Sequence, residues 1–100
     1  MGMMADKEVD KALENLLPCF SLVLAVTPSN PRSMQAAELA EKVKNYGTAA
    51  QEADSIEQAV ALAFEKMHDF DALVICGSLY LAADMREKFI YYIDKLSEKQ

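Results

Sequence analysis

Ala72-Leu73-Val74-Ile75-Cys76-Gly77-Ser78-Leu79-Tyr80-Leu81 is the stretch on which the fold turns. Ala72 to Cys76 is an unbroken apolar run, short and β-branched in the middle, and it predicts a strand buried on both faces of a parallel sheet. Gly77 and Ser78 then break the run, and a long helical pattern begins. Gly77 permits a sharp turn and a close approach of backbone to a ligand. Ser78 suits the N-cap of the following helix. The free N–H groups and the dipole at that helix start favour an anion. In an open α/β sheet, ligands bind outside the carboxyl ends of the strands, where this turn belongs. Strand, Gly, Ser, helix is equally the way ordinary α/β units turn a corner without binding anything. No GxxxxGK[ST] occurs in the chain, so the turn is not a P-loop.

Upstream of this stretch the pattern alternates. Asp6 to Leu17 predicts a first helix with Val9, Ala12, Leu13 and Leu16 on one face, Asp6 as its cap and Pro18 as its stop. Ser21 to Val26 predicts a buried strand. The loop Thr27-Pro28-Ser29-Asn30-Pro31-Arg32-Ser33 follows, its path fixed by two prolines and an asparagine. A second helix runs from about Ser33 to Tyr46, with Ala36, Leu39, Ala40 and Val43 inward and Gly47 as its C-terminal stop. Thr48 to Ala53 has little bulk and predicts an edge strand. Asp54 caps a third helix to about Met67, with Glu57 placed as in a capping box. Ile56, Ala59, Val60 and Ala63 face inward. After the Ala72–Cys76 strand, a fourth helix runs from Leu79 to about Ser97, with Leu81, Met85, Phe89, Tyr92 and Leu96 as its buried stripe. The order α-β-α-β-α-β-α predicts an α/β fold, a Rossmann-like three-layer domain with a mostly parallel sheet and right-handed crossovers.

Composition bounds the function. One hundred residues suit one domain, and 52% apolar residues are ample for a core. A net charge of -6 with no basic stripe argues against nucleic acid. No apolar run approaches a membrane span, and the first residues do not read as a signal peptide, so a cytoplasmic protein is expected. Cys19 and Cys76 form no CxxC pair and read as two reduced, buried thiols. His68 is the single histidine, so no His-based metal site is expected, and His68-Asp69 reads as a polar loop before a strand.

Four stretches, taken together, carry a family resemblance: Gly2 to Val9, Thr27 to Ser33, Ala53-Asp54-Ser55 and Cys76 to Leu81. In this order and spacing the chain resembles the C-terminal domain of folylpolyglutamate synthase/dihydrofolate synthase, in the Mur ligase superfamily. The Asn-Pro-Arg loop is shared with other Mur-type ligases. The Gly-Ser-Leu-Tyr-Leu turn together with Ala-Asp-Lys near the start points to the folate branch. The resemblance implies an ATP-dependent amide ligase that joins a folate carboxylate to the amine of glutamate, by way of a phosphorylated carboxylate that the amine then attacks. It implies that ATP and Mg²⁺ belong mainly to a large N-terminal P-loop domain, the expected partner, which is absent here. The C-terminal domain closes over ATP and the incoming glutamate. By the same resemblance Lys7, Arg32 and Ser78 face the glutamate or the reacting phosphate, while Asp6, Thr27, Asn30, Gly77 and Tyr80 shape the loops. No catalytic residue and no metal ligand is expected in this chain.

Residue chemistry agrees in part. Arg can hold a carboxylate in a bidentate fork, and Ser78 with its helix start can take a second. Arg32 as a solvated loop cation and Lys7 as a first-turn surface residue remain the bland alternatives. Phosphoryl transfer needs a phosphate cradle and a metal, so ligation by this chain alone is not expected. Two other functions compete: a non-catalytic Rossmann-like binding or interaction module, and a nucleotide-binding domain using Gly77-Ser78. The second of these is weakened by the lack of a GxGxxG and by a total of three glycines.

The resemblance implies one more feature. In the family fold a strand precedes Gly2 and lies between Leu22–Val26 and Ala72–Ile75, at the centre of the sheet. Met1 to Met4 supply at most its stub. Within one chain the gap is expected to close or to be partly filled by that stub, with low stability and self-association in solution.

Overall fold

The computed structural model describes residues 1–5 and 8–98, with the side chains of 79, 80 and 96–98 outside that description. Helix α1 spans Val9–Leu16 and runs into a 3-10 turn, Leu17–Cys19. Strand β1 is Leu22–Ala25, helix α2 Ala36–Asn45, strand β2 Ala49–Glu52 and helix α3 Ile56–Lys66. A second 3-10 turn, Met67–Asp69, and an irregular segment lead to α4, Leu79–Glu98.

β1 and β2 pair in parallel, with Leu22 opposite Ala49 and Ala25 opposite Glu52. Successive side chains of a strand point to opposite faces. Val23 and Ala25 accordingly join a core with Leu13 of α1 and Leu39, Ala40 and Val43 of α2. Val26 joins a second core with Ala59 and Val60 of α3 and Leu81 and Met85 of α4. Two helices thus cover each face, the three-layer α/β arrangement that the alternation predicts. Burial of Leu13, Leu39 and Leu81, all at 0% exposure, stabilises the layers by about 1.5–3 kcal/mol each.

The strand predicted at Ala72–Cys76 does not form. Strands are defined by a ladder, and the bond from the Gly2 N–H to the Cys76 carbonyl, 3.3 Å, touches only its last residue. Leu73 and Val74 are 44% and 54% exposed rather than buried on both faces. The sheet among the described residues is therefore two-stranded.

Met1–Met3 do fill part of the gap. The Met1 ammonium donates to the Leu24 carbonyl at 2.7 Å, and the Val26 N–H donates to the Met1 carbonyl at 3.0 Å. Bonds from one residue to the residues on either side of its partner are the parallel pattern. Met1 therefore lies beside Ala25 and runs in the direction of β1. Met1, Gly2 and Met3 are all buried.

Several local readings shift. α2 begins at Ala36 rather than Ser33, and its first N–H is held by the Thr27 hydroxyl at 2.9 Å, nine residues back. α3 is capped by Ser55, not Asp54: the Ser55 hydroxyl accepts the Gln58 N–H at 3.0 Å, while the Gln58 side chain accepts the Asp54 N–H. α1 starts after Glu8, and the cap expected at Asp6 lies outside the described residues. Cys19 is exposed and Cys76 half-buried, so neither is the buried thiol that the composition suggested. His68 sits in an exposed 3-10 turn. Gly47 does end α2, at φ +90°, with its own N–H bonded to Lys44 and that of Thr48 to Val43.

Candidate functional site

Three pieces of chain meet at the end of the sheet where β1 finishes: the N-terminal segment, the loop after β1 and the turn into α4. Gly2 is where they touch. A Cβ on Gly2 would lie 2.8 Å from Pro28 Cγ, 2.9 Å from the Val26 carbonyl oxygen and 3.0 Å from Leu81 Cδ2. A Cβ on Gly77 would lie 2.3 Å from the Gly2 carbonyl oxygen. Gly77 also has φ +102°, a backbone region that side chains disfavour. The turn expected of Gly77 is thus present, and what its backbone closely approaches is the chain's own Gly2.

Loop 27–33 is built from local bonds. The Asn30 side-chain oxygen accepts the Arg32 N–H at 2.9 Å, and the Asn30 carbonyl accepts the Ser33 N–H at 3.0 Å. The Ser33 hydroxyl donates to the Pro28 carbonyl at 2.9 Å. The N-terminal segment then clamps the loop from outside. Met4 and Ser33 form an antiparallel bridge, the Ala5 N–H donates to the Arg32 carbonyl at 2.7 Å, and the Met34 N–H to the Met3 carbonyl at 2.8 Å. This fixes the backbone of Arg32 and leaves its side chain at the exposed surface.

The turn into α4 is tied to the same loop. Ser78 is half-buried; its hydroxyl accepts the Leu81 N–H at 3.4 Å and its carbonyl the Ala82 N–H at 3.1 Å, as an N-cap does. From the first turns of α4, Asp84 reaches back to loop 27–33. Its Oδ2 accepts both the Ser29 N–H, at 3.4 Å, and the Ser29 hydroxyl, at 2.5 Å. Asp84 is a residue that sequence reasoning missed. No local pattern announces it, because its partner lies 55 residues back in the chain.

Arg32 and Ser78 therefore ride on two elements locked together at one end of the sheet. Thr27, Asn30 and Gly77 each hold a loop or turn there through a named bond or contact. Lys7 and Asp6 lie outside the described residues, as does the side chain of Tyr80, whose backbone opens α4. Among the described residues no three His, Cys, Asp or Glu converge to hold a metal ion. The sequence holds no P-loop motif.

The Met1 amine is held below its ordinary value of 8.0, chiefly because burial penalises its charge, with Cys76 partly opposing. Burial pushes the Cys76 thiol up, while the neighbouring amine pulls it down.

The model of the family described as Mur ligase, glutamate ligase domain, matches residues 1–79. The chain belongs to this family. No curated protein and no solved structure matches it. As a Mur ligase glutamate-ligase domain it is part of an ATP-dependent ligase, and its parallel α/β layers are a Rossmann-like fold. The parent family supplies an N-terminal catalytic domain as the partner. Among the described residues no helix is long and apolar enough to cross a membrane.

Proposed function

We propose that this chain is the glutamate-positioning domain of an ATP-dependent folate–glutamate ligase, acting with the family's N-terminal P-loop domain. The observation that carries the reading is the clamp of loop 27–33 to the Gly77-Ser78 turn through Gly2 and Asp84. Glutamate brings two carboxylates and an amine. Arg32 takes one carboxylate in a two-bond fork, and Ser78 with the start of α4 takes the other. Lys7 adds a cation on the segment that follows Ala5. The amine then faces the partner domain, where the activated folate carboxylate forms. Rigid loops matter because amide formation needs the amine within about 3–3.5 Å of the carbon it attacks.

Reconstitution tests this. The chain is mixed with the separately expressed P-loop portion of a folate–glutamate ligase, ATP, Mg²⁺, folate and labelled glutamate. Glutamate addition is expected only when both polypeptides are present, and it should fall about a hundredfold with Arg32→Ala. Addition unaffected by Arg32→Ala, or dependent on an amino acid other than glutamate, would contradict the reading.

A further inference from the structure

The contact between Ser29 and Asp84 holds a carboxylate on two donors from one residue. Asp84 Oδ2 accepts the Ser29 N–H at 3.4 Å and the Ser29 hydroxyl at 2.5 Å. The loop, not Asp84, aims the first of these donors. The Ser29 N–H and the Pro28 carbonyl belong to one planar peptide unit. Two bonds fix the oxygen of that unit: the Asn30 N–H and the Ser33 hydroxyl both donate to it, at 2.9 Å each. The N–H on its opposite side is thereby aimed, whatever accepts it. Arg32 follows three residues on. Its own N–H is bonded to the Asn30 side chain at 2.9 Å, its side chain is exposed, and among the described residues no ion pair uses its guanidinium. The tie to Asp84 lies at the exposed surface, where a charged contact is worth little. An arriving carboxylate therefore displaces Asp84 at a cost of about two- to fivefold in affinity.

We propose that the Ser29 N–H and hydroxyl, together with the Arg32 guanidinium, form a carboxylate subsite that Asp84 fills in the free chain and that a carboxylate of the substrate takes over. The chemistry favours the exchange. An ionised carboxylate offers about four lone-pair sites, and a guanidinium fork uses two of them, so two remain for Ser29. Asp84 has the Ser29 donors alone, whereas an incoming carboxylate gains the Arg32 fork as well. Two carboxylates at one place repel, so Asp84 leaves as the second arrives. A ligand that also reaches Ser78 then ties loop 27–33 to the start of α4 in place of Asp84. Gly2 keeps the turn beside the loop throughout. The identity of the ligand as glutamate rests on the ligase reading; the exchange itself needs only a carboxylate.

The test is titration of the ¹⁵N-labelled chain with glutarate, which has two carboxylates and no amine, with its neutral diamide as control. Asp84→Ala empties the subsite and should bind glutarate about two- to fivefold more tightly than the unmodified chain. The Ser29 amide is the signature. Asp84→Ala should move its resonance, and glutarate should return it toward its place in the unmodified chain, because a carboxylate again accepts the N–H. Ser29→Ala, which loses the hydroxyl, should bind about fivefold more weakly. The diamide should do none of this. Should Asp84→Ala not hold the fold, Asp84→Asn decides, since it removes the charge and keeps the shape; it should tighten binding about twofold. Equal or weaker glutarate binding by both Asp84 variants would overturn the proposal and make Asp84 a fixed clamp. So would a Ser29 amide that glutarate leaves unmoved. The two readings fail separately. Exchange at Ser29 by glutarate, with no preference for glutamate over glutamine, supports the subsite and counts against the ligase reading. Glutamate held by Arg32 and Ser78 while Ser29 stays on Asp84 would overturn the subsite alone.

Discussion

Gly77→Ala isolates the contact on which the candidate site is built. Two costs arise. Alanine at a positive φ costs about 1–2 kcal/mol. The added Cβ would also sit 2.3 Å from the Gly2 carbonyl oxygen, where ordinary contacts begin at 3.4 Å. Backbone must therefore move by roughly an ångström, and Gly2 is held by its bond to Cys76 and by its neighbour's bonds to Leu24 and Val26. Loss of two such bonds adds about 2 kcal/mol, for a total of about 3–4 kcal/mol. Gly47→Ala is the matched control: φ is +90°, and a Cβ there meets nothing within 4 Å. It should cost only the conformational part, about 1–2 kcal/mol. Urea unfolding followed by circular dichroism reads both variants, and each kcal/mol should lower the melting temperature by about 4–8 °C. Equal losses in the two variants would refute the close approach of the turn to Gly2.

Thr27→Val removes the hydroxyl that receives the Ala36 N–H and should cost about 1 kcal/mol in the same assay, with α2 fraying at its start by amide exchange. A double-mutant cycle of Ser29→Ala and Asp84→Ala should give a coupling of about 0.5–1 kcal/mol, the modest figure expected of an exposed pair; additive effects would mean the tie carries nothing. Stability should rise as pH rises toward 8.0, because the unfolded chain protonates the Met1 amine at its ordinary value while the folded chain resists. It should fall again above 9.0, because the unfolded chain releases the Cys76 proton first. Acetylating Met1 should abolish the first change, and Cys76→Ser should blunt the second.

Helix faces were legible because they repeat locally. Leu39, Ala40 and Val43 lie inward as their spacing requires, and Gly47 stops α2 for the reason any helix favours glycine there. The weak edge strand at Ala49–Glu52 was legible from its lack of bulk. What failed was longer in range. Ala72–Cys76 has the composition of a buried strand, but a strand exists only with a neighbour to pair with, and composition does not report the neighbour. Thr27 caps a helix nine residues ahead, and Asp84 holds a loop 55 residues behind. Neither bond leaves a local pattern. Asp54 and Ser55 are both good caps by residue type, and it is the Ser55 hydroxyl that accepts the Gln58 N–H. Of the site, the turn at Gly77 and Ser78 and the fixed path of loop 27–33 were readable; the contact between them through Gly2 was not.

We propose that the end of the sheet carrying Arg32 and Ser78 holds glutamate. Titration of the ¹⁵N-labelled chain with L-glutamate tests it most directly. Saturable shifts are expected in the amides of Arg32, Ser33, Gly77 and Ser78, with affinity in the millimolar range for so open a site, and they should be lost with Arg32→Ala and absent with L-glutamine. Shifts that appear elsewhere, or that glutamine reproduces equally, would contradict it.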